Sequence, residues 1–150
     1  MVAEQKLRTL ASQDATLQGI FGTAPFRWQD TQLQPGYIQR GTCARVLRVS
    51  TVYMHCMAGM MNVEQVRFQI DVMDLDSEKA RAAATALDAW FETVSFMSAA
   101  QFGSPPHAPS PPSYANFKLN QRHSIDYALA PPLQPYCEML EYRIFSNLNT

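Results

Sequence analysis

Between Val63 and Met73 apolar and polar side chains alternate strictly, with Val66, Phe68, Ile70 and Val72 set against Gln65, Arg67, Gln69 and Asp71. A period of two sends successive side chains to opposite faces, so the segment predicts a strand with one face in the core. The other face is wet or meets a partner. Asp74-Leu75-Asp76-Ser77 follows at once, and such side chains cap helices. Asp76 is the expected N-cap, with Glu78 in the first turn where the dipole favours a carboxylate. The helix predicted from there to about Val94 buries Ala80, Ala83, Ala84, Leu87, Phe91 and Val94, and leaves Lys79, Arg81, Asp88 and Glu92 mostly off the stripe.

Other segments take their places around this strand–helix unit. The first 22 residues read as helical, with Leu7, Leu10 and Ala11 on one face. Leu17, Ile20 and Phe21 continue it after the polar break at Ser12-Gln13-Asp14, and Gly22 is a plausible stop. Thr23 to Gly41 suits an edge strand or an extended connection because it carries Pro25, Pro35, Gly36 and Gly41. Cys43 to Tyr53 is dense in β-formers and predicts a strand with Leu47, Val49, Thr51 and Tyr53 on one face and Val46, Arg48, Ser50 and Val52 on the other. A hairpin with a Met-rich tip at Met54 to Asn62 would join it to the next strand as an antiparallel pair. Tyr136 to Asn147 alternates again, Leu140, Tyr142 and Ile144 against Met139, Glu141, Arg143 and Phe145, and predicts a closing strand.

Ser98 to Pro135 has a different composition. It holds eight of the 10 prolines and three charged residues, Lys118, Arg122 and Asp126. It reads as a Pro-rich insertion, with a short strand possible from Ser124 to Ala130. Phe102, Tyr114 and Phe117 give it apolar anchors, so it is expected to meet a partner rather than serve as a solvated linker. The whole chain of 150 residues fits one domain, 1–150, with one core.

Composition narrows the function classes. The 12 basic and 13 acidic residues leave a formal charge of -1, so no bulk electrostatic attraction drives the chain to nucleic acid or an anionic membrane. MVAEQKLRTL lacks the apolar core of a signal peptide, and the most apolar stretch, Thr51 to Met61, is far shorter than the roughly 20 residues of a membrane-spanning helix. No membrane association is expected. Cys43, Cys56 and Cys137 show no CxxC spacing and read as buried thiols.

The same residues argue against chemistry. His55 and Cys56 are adjacent and would point to opposite faces of a strand, while His107 and His123 lie in the insertion, so neither a Cys/His nucleophile nor a zinc site is indicated. Asp71, Asp74 and Asp76 are explained by a polar strand face and a helix cap more simply than by a cation. Met54, Met57, Met60 and Met61 around His55 and Cys56 suit a soft metal or an adaptable protein contact, and the contact is favoured. GxxxxGK[ST], GxGxxG and GxSxG are absent. The expectation is a protein that is not an enzyme and has no cofactor or metal. Its interface residues are Met54, Met57, Met60 and Met61 at the tip, Gln65, Arg67 and Gln69 on the polar strand face, and Phe102, Tyr114 and Phe117 in the insertion.

LRTLASQDATLQGIFG near the amino terminus, VRFQIDVMDLDSEKARAAATALDAWF in the middle and LEYRIFSNL at the end resemble the tail-terminator, or tail-completion, proteins of long-tailed bacteriophages and gene transfer agents. The resemblance is sharpest from Val66 to Phe91, where an R-x-Q-I-D-hydrophobic strand runs into an Ala-rich helix. The strand before Val63 lacks the usual glycine-rich polar hairpin, and the Pro-rich insertion is unusually long. The resemblance implies an α+β fold: a mainly antiparallel sheet of four to five strands carrying an N-terminal helix and one long helix. It implies a homo-oligomeric ring, typically a hexamer, that caps the tail tube, terminates its polymerisation and joins the tail to the head-side connector or stopper. Its partners would be itself, the tail tube protein and that connector. Double-stranded DNA would pass through the lumen without sequence-specific binding. Such a protein is assembled in the host cytoplasm and ends at the tail–neck junction of the virion. A neck or head-completion protein is the near alternative, and a small cytoplasmic ligand-binding α/β domain the far one.

Overall fold

The computed structural model describes residues 3–22, 25–28, 41–57, 59–94, 96, 116–125, 127 and 131–147. In chain order the elements are α1 (Ala3–Ser12), α2 (Ala15–Phe21), β1 (Arg27–Trp28), β2 (Cys43–Cys56), β3 (Gly59–Asp74), α3 (Ser77–Thr93), β4 (Asn116–Ile125) and β5 (Tyr136–Asn147). The strands form one sheet in the order β1-β2-β3-β5-β4. Among the described strands only the short β1 pairs in parallel, and every other neighbour is antiparallel. The α+β class expected from the sequence is the class observed.

The helix boundaries follow from the capping residues. Asp14 accepts a hydrogen bond from the Leu17 amide at 2.9 Å and starts α2, which is why the polar break separates two helices. Gly22, at φ 86°, ends α2 while its amide bonds the Gln18 carbonyl. Asp76 accepts from the Glu78 amide at 2.9 Å and caps α3, and Asp74 in turn accepts from the Asp76 amide at 2.8 Å. The expected stripe of α3 is buried from Ala80 to Phe91, and Trp90 joins it. Val94 is the C-cap and only partly buried.

The three helices of the described residues pack on one face of the sheet. There Leu7, Leu17 and Leu87 meet Val46, Val66, Phe68, Ile70, Val72, Leu140, Tyr142 and Ile144 in one core. Complete burial of one such aliphatic side chain is worth about 1.5–3 kcal/mol, so this contact fixes which face of β3 and β5 points inward. Trp90 extends the core towards the amino-terminal segment through Phe26 and packs edge-on against Phe91.

Several expectations need correction. The Met-rich segment is not an open tip: Cys56 pairs with Gly59, so the ladder continues to a turn at Met57. Gly59 adopts φ 121°, a conformation that costs glycine little, and this lets so short a turn close the hairpin. Met54, Met60 and Met61 therefore lie in strands, and Met57 alone of the four is at the turn. The two faces predicted for β2 also exchange midway. A register shift between Arg48 and Ser50 leaves Val49 unpaired and outward, so Val46 before it and Thr51 after it both face the helices. The expected strand from Tyr136 to Asn147, β5, is the last in chain order and lies between β3 and β4 in the sheet. The edge is β4, ten residues long and lying inside the span read as an insertion, where a shorter strand had been expected from Ser124. Its largely exposed pattern hides it from any alternation test.

Candidate functional site

The second face of the sheet carries no helix among the described residues, and it holds two of the ion pairs, Arg45–Asp71 and Arg67–Glu141. Its side chains come from alternate positions of four strands: Arg45 on β2, Arg67, Gln69 and Asp71 on β3, Glu141, Arg143 and Phe145 on β5, and Phe117 and Arg122 on β4. Asp71 is 1% exposed, so the expected wet position is a buried charge. It is kept there by Arg45, whose Nε and Nη2 donate to one carboxylate oxygen at 3.1 and 2.8 Å, and by Gln69 Nε2, which donates to the other at 3.0 Å. Charge-assisted bonds of this kind make burial of a carboxylate tolerable.

A second pair lies further along. Arg67 donates through Nε to Glu141 Oε2 at 3.1 Å, with a further bond from Nη2 to the same oxygen. Arg67 and Arg143 are direct cross-strand partners, and like charges so placed repel. Arg143 sits over the ring of Phe117, with Cζ 4.9 Å from its centroid, and Phe117 packs edge-on against Phe145 at 6.3 Å. Its Nε is buried with no hydrogen-bond partner. Among the described side chains the face presents four arginines, Arg45, Arg67, Arg122 and Arg143, against two carboxylates.

On the helical side polar clusters interrupt the core, one of them joining the buried Glu138 to Gln121, His123 and Arg81. Under α1, Arg48 lies between Glu4 and Glu64, at 2.8 and 3.3 Å, while Lys6 Nζ donates to Ser146 Oγ at 2.9 Å. Burial pulls the Lys6 ammonium below the ordinary lysine range, and the charge of Glu64 partly opposes this. Beside α3, Tyr142 donates its hydroxyl to Asp88, which also takes Lys118 Nζ at 2.6 Å. Asp88, Phe91, Glu92, Asn116, Lys118 and Tyr142 line a half-open recess of about 210 Å³.

Of the interface residues named from sequence, Gln65, Arg67, Gln69 and Phe117 share the uncovered face. Met57 is fully exposed at the far turn of the hairpin, and Met54 is half-buried in β2. The side chains of Met60 and Met61, and Phe102 and Tyr114 altogether, lie outside the described residues. Sequence reasoning missed Arg143, Glu141 and Arg45. The alternation of β5 displays Arg143 and Glu141 on one face, but nothing in the chain says that β5 lies beside β3. Among the described residues no group of three or more His, Cys, Asp or Glu side chains is placed to hold a metal ion, and no helix is long and apolar enough to cross a membrane. His55 Nδ1 is engaged with the carbonyl of Tyr53 at 3.0 Å.

The sequence matches no protein-family model and no curated protein. The fold has a counterpart. It resembles that of a chain in a solved structure described as the virion of a native gene transfer agent (GTA) particle. The match spans 93% of this chain and 90% of the GTA chain, at a TM-score of 0.51 and 14% identity. The likeness to the GTA chain is therefore one of whole-chain architecture, helices and sheet together, with the side chains almost entirely different.

Proposed function

We propose that this chain is a structural virion protein of a phage or gene transfer agent, and that it acts as a tail terminator. The observation that carries the reading is the end-to-end likeness in fold to a chain of a gene transfer agent virion. It is joined by the resemblance to tail terminators from Val66 to Phe91, reached independently of the fold. The second sheet face adds physical support, because among the described residues the five-stranded sheet carries helices on one side only, which leaves a broad surface for protein contact.

In this reading, copies of the chain close into a homo-oligomeric ring, a hexamer, on the end of the tail tube. The ring stops further addition of tube protein and presents its other side to the head-side connector. Heterologous contacts between identical subunits generate such rings when their rotation closes. Double-stranded DNA passes through the lumen, and a chain with a formal charge of -1 holds it only weakly. The site of action is the tail–neck junction.

The test is tube growth in vitro. Purified protein added to polymerising tail tube protein should fix tube length at the moment of addition, at a ratio of a few chains per tube end. Tubes that lengthen at the unaltered rate in its presence would refute the terminator role.

A further inference from the structure

We infer that the chain associates with itself head to tail, the arginine face around Arg67 and Arg143 of one copy seating on the acidic recess around Asp88 and Glu92 of the next. The inference rests on the ring proposed above and names the surfaces that build it. Three observations carry it. The first is charge: Arg67 and Arg143 are set side by side across two strands, and Arg143 has an aromatic ring beneath it but an Nε without an acceptor. The second is the recess. Besides the carboxylates of Asp88 and Glu92, it is lined by Lys118, whose Nζ lies 2.6 Å from Asp88 and leaves the recess one negative charge in excess, and by Asn116, whose side-chain nitrogen donates to the carbonyls of Phe91 and Val94.

The third observation is position. Asn116 pairs with Ile144 and Phe117 with Arg143, so neighbouring residues of the same strand pair turn to opposite faces. The recess and the arginine face therefore lie back to back at one end of the β4–β5 pair. Two different, complementary surfaces on opposite sides of one molecule give a heterologous contact, which propagates from copy to copy and ends only by closing. Arginine beside an aromatic ring is also the chemistry enriched at the centre of protein interfaces. The recess has room for a guanidinium group, and the exposed Glu92 supplies a carboxylate that no basic side chain engages among the described residues.

Charge reversal tests the pairing. Arg143→Glu, Arg67→Glu and Glu92→Arg are compared with the wild type by native mass spectrometry and by electron microscopy on tail tubes, with circular dichroism to confirm the fold. Each single reversal should lower the assembled fraction about tenfold or more, as loss of a close interfacial charge pair does. The double variant Arg143→Glu with Glu92→Arg should recover most of it. Should Arg143→Glu fail to fold, the more exposed Arg67→Glu with Glu92→Arg makes the same test. Full assembly of the single variants, or a double variant no better than either single, would overturn the pairing while leaving the ring itself standing. Loss of duplex DNA binding with assembly intact would overturn it in favour of a phosphate-binding face. A wild-type chain that never assembles would remove both the pairing and the ring.

Discussion

Tyr142 donates its hydroxyl to Asp88 while its ring stacks on Phe91 with centroids 4.0 Å apart. One side chain thus ties β5 to α3 through a face and an edge at once. Burial and the Asp88 carboxylate both disfavour the phenolate, so the Tyr142 hydroxyl titrates well above the ordinary tyrosine range. The unfolded chain loses that proton near pH 10 and the folded chain keeps it. Stability from this group is therefore complete below pH 10 and falls as pH rises above it, by up to about 1.4 kcal/mol per pH unit. Tyr142→Phe should lower stability at neutral pH by about 1–2 kcal/mol and remove that alkaline slope, as urea titrations at pH 7 to 11 would measure. An unchanged alkaline slope in the variant would be the contrary result.

Arg48 lies between two carboxylates beneath α1, and Glu64 there is only 3% exposed. Replacing it with Met retains the packing of the stem but leaves Glu64 without its ion pair. Breaking a buried pair on one side typically costs about 3–5 kcal/mol, and the partial exposure of Arg48 and Glu4 places this case near the lower figure. Thermal melting of Arg48→Met should show the loss, with amide exchange rising first in α1. A melting temperature within a degree of wild type would mean that α1 is held by Leu7 and Ala11 alone.

Asp76→Ala should cost about 0.5–2 kcal/mol by removing the cap of α3, and Asp76→Asn should recover most of it, since either side chain can accept from the Glu78 amide. Denaturant midpoints of the two variants decide the matter. Equal losses would assign the effect to charge instead of capping.

What could be read from the chain depended on the range of the interaction. The strand at Val63 to Met73, the cap at Asp76 and the stripe on α3 are governed by neighbours within a few residues, and each was legible. Trp90 escaped the stripe because its burial depends on Phe26, which approaches from a distant segment, and on Phe96 just past the end of α3. The bulge at Val49 was hidden because β-branched side chains suit either face. For the candidate site, Arg67, Gln69, Gln65 and Phe117 were found as members of polar or aromatic runs. Arg143 was not, because its meaning arises only when β5 pairs with β3 and brings the two arginines opposite each other.

The central claim is that this chain caps one end of a tail tube as a ring of its own copies. Electron microscopy of virions or tail tubes carrying a tagged copy measures it directly. The account predicts a single closed ring at the head-proximal end of each tube, with one orientation of the chain in every subunit. Label distributed along the tube, one copy per particle, or a ring confined to the head vertex in particles without tails would contradict it.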